Sequence, residues 1–266
     1  MKGIINEEFS RAFRNRRLWI VVGISVLCLA VGLYRRGAIF GWQPMNPVNL
    51  LMNVSFYTPF SLFAALLATL PFTDSFLEDR KQGFLRHVVS RVPFRKYLLA
   101  KSLAVGMVGG VAVSGSILIM AVLVTLTGPV DFASTSYVSN STLGTNVPWG
   151  PLGWLYSLNP FAYLVYLLAS SFIFGAVYAL LGLAISALVS NRYIVLAAPL
   201  VFFQVFAYLE ERSLRILPAW NPHYTLFPFE AYEGFSLMNM IVQFGLLLLA
   251  AVLCLIVFAR RQRMIA

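Results

Sequence analysis

Residues Tyr97 to Thr127 read YLLAKSLAVGMVGGVAVSGSILIMAVLVTLT, an apolar run whose one charge, Lys101, sits near its beginning. Crossing about 30 Å of hydrocarbon takes roughly 20 mainly apolar residues in a helix. In lipid such a run satisfies its own backbone hydrogen bonds only by coiling into one. The stretch therefore predicts a transmembrane helix, and five other segments repeat its pattern. They run about Leu18 to Tyr34, Val48 to Phe72, Pro160 to Val189, Tyr193 to Leu209 and Leu237 to Ala259. The first is short, but Trp19 and the snorkelling pair Arg35-Arg36 extend it to the interfaces. Ser190-Asn191-Arg192 is the minimal turn between the fourth and fifth spans.

Composition agrees. Only 11% of the 266 residues are charged and 59% are hydrophobic, whereas a soluble domain carries about a quarter charged residues. The net charge of +10 does not point to nucleic acid, because its placement follows the membrane. With the N-terminus inside, the inner segments carry sixteen Lys and Arg: five from Lys2 to Arg17, seven from Arg80 to Lys101, Arg192, and three from Arg260 to Arg263. Arg35, Arg36, Arg212 and Arg215 alone fall outside. The asymmetry predicts a multi-pass protein of the cell membrane with both termini cytoplasmic. Cys28 and Cys254 lie inside apolar runs, which argues against a disulfide, and no CxxC or Cys/His spacing suggests a metal site. The first apolar run lacks a small-residue cleavage site, so it does not read as a signal peptide.

The fold expected is an all-α integral membrane domain over residues 1–266, with six transmembrane helices. Residues 1–17 precede the first span as an interface helix: Ile5, Phe9 and Phe13 recur every four residues with Ala12 beside them, and Lys2, Glu7, Glu8, Arg11, Arg14 and Arg17 fall mostly elsewhere. Two extracytoplasmic loops are expected, at 128–153 and 210–236. The first is polar, with Asp131 its only charge and a sequon at Asn140-Ser141-Thr142. The second carries Trp220, Tyr224, Phe227, Phe229, Tyr232 and Phe235 between prolines, a composition suited to dipping into the outer interface.

The most informative local feature joins spans two and three. Acidic Glu78 and Asp79 come first, Gly83 permits a turn, and Phe84, Leu85, Val88 and Val89 then form one apolar helical face. Pro93 ends the helix by pushing Val92 toward extended geometry. A short amphipathic helix between two spans can dock into a groove on a soluble partner.

In order and spacing this segment resembles the ABC-2 type permease family, the membrane subunits of ABC exporters. Glu78/Asp79, Gly83, Leu85 to Val89, Pro93, Arg95 and Lys101 carry the likeness, and Phe84 departs from the threonine usual after the glycine. Asn221-Pro222 before the last span agrees with it. The resemblance implies a cytoplasmic coupling helix at 78–93, with Glu78, Asp79, Gly83, Phe84, Leu85, Val88, Val89 and Pro93 contacting a separate ABC ATPase. It also implies a second permease subunit, identical or different. The chain has no GxxxxGK[ST] phosphate cradle, so ATP and Mg would reside on the partner and no catalytic residue is expected here. Membrane lipid is the remaining expected partner, and nucleic acid is not one.

A different class is a membrane-embedded protease. Glu210-Glu211-Arg212-Ser213-Leu214-Arg215 fits EExxxR and looks like the first motif of the CAAX-type enzymes. The accompanying FxxxH and HxxxN patterns are absent, and His87 and His223 are the only histidines. The predicted topology puts His87 across the membrane from Glu211.

No charge lies near the middle of a predicted span, which weighs against a proton-coupled transporter. Ser114, Ser116, Thr125 and Gln204 are the candidate pathway lining, with hydrogen bonding between helices their bland alternative. Gly106 and Gly110 form GxxxG, Gly182 and Ser186 a second small pair, and Pro59 and Pro199 are expected kink sites. The nearly uncharged spans suit an amphipathic or lipid-like cargo.

Overall fold

The computed structural model describes residues 2–42, 44–132, 148, 150–212, 221–231 and 235–263, and every regular element among them is helical. In chain order these are α1 (Lys2–Phe13), α2 (Arg16–Phe40), α3 (Pro47–Phe56), α4 (Phe60–Thr69), α5 (Ser75–Lys81), α6 (Phe84–Arg91), α7 (Phe94–Thr127), α8 (Trp154–Leu158), α9 (Pro160–Leu188), α10 (Arg192–Arg212), α11 (His223–Leu226) and α12 (Leu237–Arg263). A 3-10 turn at Pro228–Glu230 follows α11.

Asparagine starts helix after helix. The side chains of Asn15, Asn46, Asn159, Asn191 and Asn221 each accept from the backbone N–H two residues on, at 2.9–3.0 Å. They open α2, α3, α9, α10 and α11. In three cases proline follows at once, where its fixed φ suits the first turn and its missing N–H is no loss. Each cap satisfies a donor the helix cannot, and contributes about 1 kcal/mol.

Helices α2, α7, α9, α10 and α12 are each long and apolar enough to cross a membrane, and α3 with α4 pass the same test together across a 90° bend. The chain is a multi-pass helical membrane protein. At its centre α7 packs along α9, with α1, α2 and α4 also against α7. Gly109 of α7 faces Gly175 of α9: a Cβ on Gly109 would stand 2.8 Å from the Gly175 carbonyl oxygen, so the helices meet backbone to backbone. Close approach in α7 thus occurs at Gly109, and at Gly110 beneath the Phe172 ring. Gly106, the other half of the expected GxxxG, stands at ordinary distance from Leu180. Gly182 does lie tight, against the Thr73 methyl, whereas Ser186 bonds within its own helix.

The second predicted span, Val48 to Phe72, is not one kinked helix but two, α3 and α4, set at 90°. Pro59 has no N–H to continue α3. Thr58 holds the corner: its hydroxyl donates to the Cys28 carbonyl at 2.7 Å and accepts from Phe60 N at 3.1 Å. Gly32 of α2 makes room, since a Cβ there would stand 2.8 Å from the Thr58 Cβ.

The first span is longer than expected. Arg35 and Arg36 lie within α2, and Arg36 does not snorkel. It is 3% exposed and donates to the Gly41 carbonyl at 3.0 Å, tying the helix end to the loop that follows. The aromatic loop likewise turns inward. Phe227 packs against Phe60, Phe229 against Phe56 in a T-shaped pair, and Ser170 of α9 donates to the Thr225 carbonyl at 2.6 Å. These rings fill the corner between α3 and α4 instead of dipping outward, because the 90° bend leaves apolar space that bulky side chains occupy. Trp220, Tyr232 and the sequon at 140–142 lie outside the described residues.

Candidate functional site

Two neutral quartets of charge gather at the end of the bundle where α2 and α7 begin. In the first, Lys101 of α7 is fully buried, with Nζ 2.8 Å from Glu8 Oε2 and 2.6 Å from Asp79 Oδ2. Arg11 of α1 bridges the same two carboxylates at 3.1 and 2.9 Å. The Tyr97 hydroxyl donates to Asp79 at 2.6 Å. The rings of Phe72 and Tyr97 stand 5.1 and 5.6 Å from the Lys101 ammonium and complete its shell. In the second quartet, Asp74 receives Arg17 at 3.1 Å and Arg192 at 2.6 Å, while Glu78 lies 3.1 Å from Arg17 and 3.8 Å from Arg192.

Both quartets draw on α5 or the residue before it, which makes this short helix the common member. Arg80 adds a further tie, donating to the Ala187 carbonyl at 3.4 Å and to Ser190 Oγ at 2.7 Å, at the C-terminal end of α9. Thus α5 is joined by charge or hydrogen bond to α1, α2, α7, α10 and the end of α9. Charges this deep persist only when each has its counter-ion and hydrogen bonds, since one left alone would cost several kcal/mol. Burial pushes the Asp79 carboxyl upward, yet Lys101, Tyr97 and Arg11 outweigh it and hold it below the usual carboxylate range.

Beyond α5 the chain pivots. Gly83 adopts φ 74°, the left-handed region that glycine enters without strain, and α6 departs from it. Val92 is extended ahead of Pro93 and closes α6 with an N–H to the Val88 carbonyl. The helix, turn and stop read from the sequence therefore stand in order. Phe84, Leu85 and Val88 of the apolar face are half-buried, Leu85 and Val88 leaning on the core and Phe84 lying under the Arg11 guanidinium. Val89 shares α6 with them, and Gln82, Ser90 and Pro93 are exposed.

The expected contact residues thus divide. Asp79 is 1% exposed and engaged on every side within the chain, so its carboxylate offers nothing to a partner. Glu78 is split, with 39% of its side chain exposed and one oxygen held by arginines. Reading the sequence missed Glu8, Arg11, Arg17, Asp74, Tyr97 and Arg192 as partners. The signal for one of them was present: Asp74, like Lys101, is a charge at the edge of an apolar run, where a counter-ion is obligatory.

The pathway candidates do not converge. Ser114, Ser116 and Thr125 each donate to the carbonyl four residues back in α7, at 2.6–2.9 Å. Gln204 of α10 crosses to the Leu62 carbonyl of α4 at 2.6 Å. Near Pro199, which leaves the Val195 carbonyl without its helical donor, Thr69 donates to the Leu196 carbonyl at 3.1 Å. Glu210 is buried at the end of α10, and residues 213–215 of the EExxxR stretch lie outside the described residues. Among the described residues no cluster of His, Cys, Asp or Glu could hold a metal ion. The chain matches no protein-family model, no curated protein and no solved structure.

Proposed function

We propose that the chain is the membrane subunit of an ATP-driven exporter of the ABC-2 permease type, with α6 as the element on which a cytoplasmic ATPase acts. One observation carries the reading: α6 is an amphipathic helix set on a glycine pivot beside α5, and α5 is bonded to α1, α2, α7, α9 and α10. Force applied at α6 through Leu85, Val88, Val89 and the exposed Gln82 would reach α5. From there it would spread through the ion pairs of Asp74, Glu78 and Asp79 to α2, α7 and α10 at once. In this arrangement Asp79 transmits the force and Gly83 permits the motion; neither touches the partner.

Six spans follow if α3 and α4 count as one. That counting is supported by the Met45 N–H to Pro129 carbonyl bond at 3.2 Å beside the end of α7, and by the Arg17–Asp74 pair at the opposite end. The end bearing the quartets also gathers the segments richest in Lys and Arg, which supports a cytoplasmic position for it and for both termini. ATP and Mg would be held by the partner. A second permease subunit would complete the membrane assembly, and the cargo class is amphipathic or lipid-like.

The test uses Gln82→Cys in a chain lacking Cys28 and Cys254, cross-linked in native membranes. The expected adduct is an ATPase subunit bearing a phosphate-binding loop. The double substitution Leu85→Asp/Val88→Asp should release that subunit while circular dichroism and membrane insertion stay unchanged. Retention of the ATPase at full stoichiometry by an inserted, helical double variant would sink the assignment.

A further inference from the structure

Helices α7 and α12 both pack along α9, and near the quartet end they leave an apolar groove of about 490 Å³. Its floor is Leu180 of α9 with the buried Ala251 and Leu255 of α12; its walls are the exposed Leu99, Val252 and Ile256. Two guanidinium groups share the lining, Arg95 from the first turn of α7 and Arg260 from the last turns of α12. Both are exposed, and among the described residues neither forms an ion pair. They contrast with Arg11, Arg17 and Arg192 nearby, each of which is matched to a carboxylate.

We infer that this groove is a binding site for a phospholipid with an anionic headgroup, drawn from the leaflet on the side of α1. Its phosphate would lie between Arg95 and Arg260, and one acyl chain along Leu99, Val252 and Ile256. The volume falls within the range of small-molecule sites, about 300–1,000 Å³. Two like charges at the mouth of an apolar groove repel each other until an anion lies between them, and guanidinium binds phosphate by paired hydrogen bonds. Basic pockets between transmembrane helices recognise acidic headgroups on these terms. A soluble phosphate would leave the apolar walls unused. A second copy of the chain docked here by two-fold symmetry would bring four guanidinium groups together. The inference does not rest on the exporter reading.

Native mass spectrometry of the full chain, released from micelles holding equal phosphatidylglycerol and phosphatidylcholine, tests it. Preferential retention of phosphatidylglycerol is expected, with no adduct from inorganic phosphate alone. Arg95→Gln/Arg260→Gln should cut the preference at least about tenfold. Ser102→Phe, which fills the groove beside Leu99, should lower retention of the lipid without altering helicity. Equal retention of the two lipids by the unmodified chain, or an unchanged preference in the double variant, overturns the site. So does a Ser102→Phe chain that keeps its lipid but loses a dimer, which would make the groove an interface between copies.

Discussion

Helices α5 and α6 are neighbours in sequence and nearly equal in length, yet they are held in opposite ways. Together with Asp74 just before it, α5 is fixed by ion pairs at 2.6–3.1 Å that reach three spans, and its Asp79 is sealed from solvent. Among its described side chains, α6 rests on half-buried Phe84, Leu85 and Val88, with one guanidinium over a ring. Charge pairing fixes direction and distance, whereas a partial apolar contact tolerates sliding. What reads in the sequence as a single basic connection is a charge-tied anchor and an arm packed by partial apolar contact, with Gly83 between them.

The comparison breaks most visibly at Lys101. Lys101→Met keeps the length of the side chain but leaves Glu8 and Asp79 with Arg11 as their remaining cation, so it should destabilise the protein by about 3–5 kcal/mol. Thermal unfolding in detergent measures this, and a change under about 1 kcal/mol would mean that α5 is not anchored by charge. Acid should loosen the same anchor more gradually. Asp79 titrates below the usual carboxylate range, so its contribution is present above the unfolded-state value of about 3.9 and is lost as pH falls through the lower folded value. Asp79→Asn should therefore flatten the loss of stability below about pH 4, as well as lowering stability at pH 7. The smallest effect belongs to the pivot. No atom lies within 4 Å of where a Gly83 Cβ would point, so Gly83→Ala costs only the left-handed backbone, about 1–2 kcal/mol. Limited proteolysis should then show faster cleavage around α6, with the spans left intact. If cleavage moves instead to α5, the division between anchor and arm is misplaced.

The spans were legible because an apolar run long enough to cross a bilayer has few other uses. The starts of α3 and α9 were legible too, in Asn46-Pro47 and Asn159-Pro160, since cap and first turn are set by adjacent residues. Pro59 marked the break, but not its 90° angle, which depends on Gly32 and Cys28 of another helix. Helical periodicity gave Glu8 and Arg11 to water because it knows one helix at a time. The Lys101–Glu8 contact joins residues 93 apart, and only the assembled bundle shows that pairing. The Phe227–Phe229 pair went inward for a similar reason: the space it fills lies at the corner between α3 and α4, whose angle no local pattern encodes.

The span of the Lys101 quartet also orders the making of the protein. Its members come from residues 8, 11, 79 and 101, so the set cannot close until α7 has been synthesised. Before then Glu8 and Asp79 have only Arg11 between them. The N-terminal helix can therefore dock for good only after the start of α7 arrives. A chain stopped short of Lys101 keeps one more acid than base in this set, an imbalance that the arrival of α7 removes.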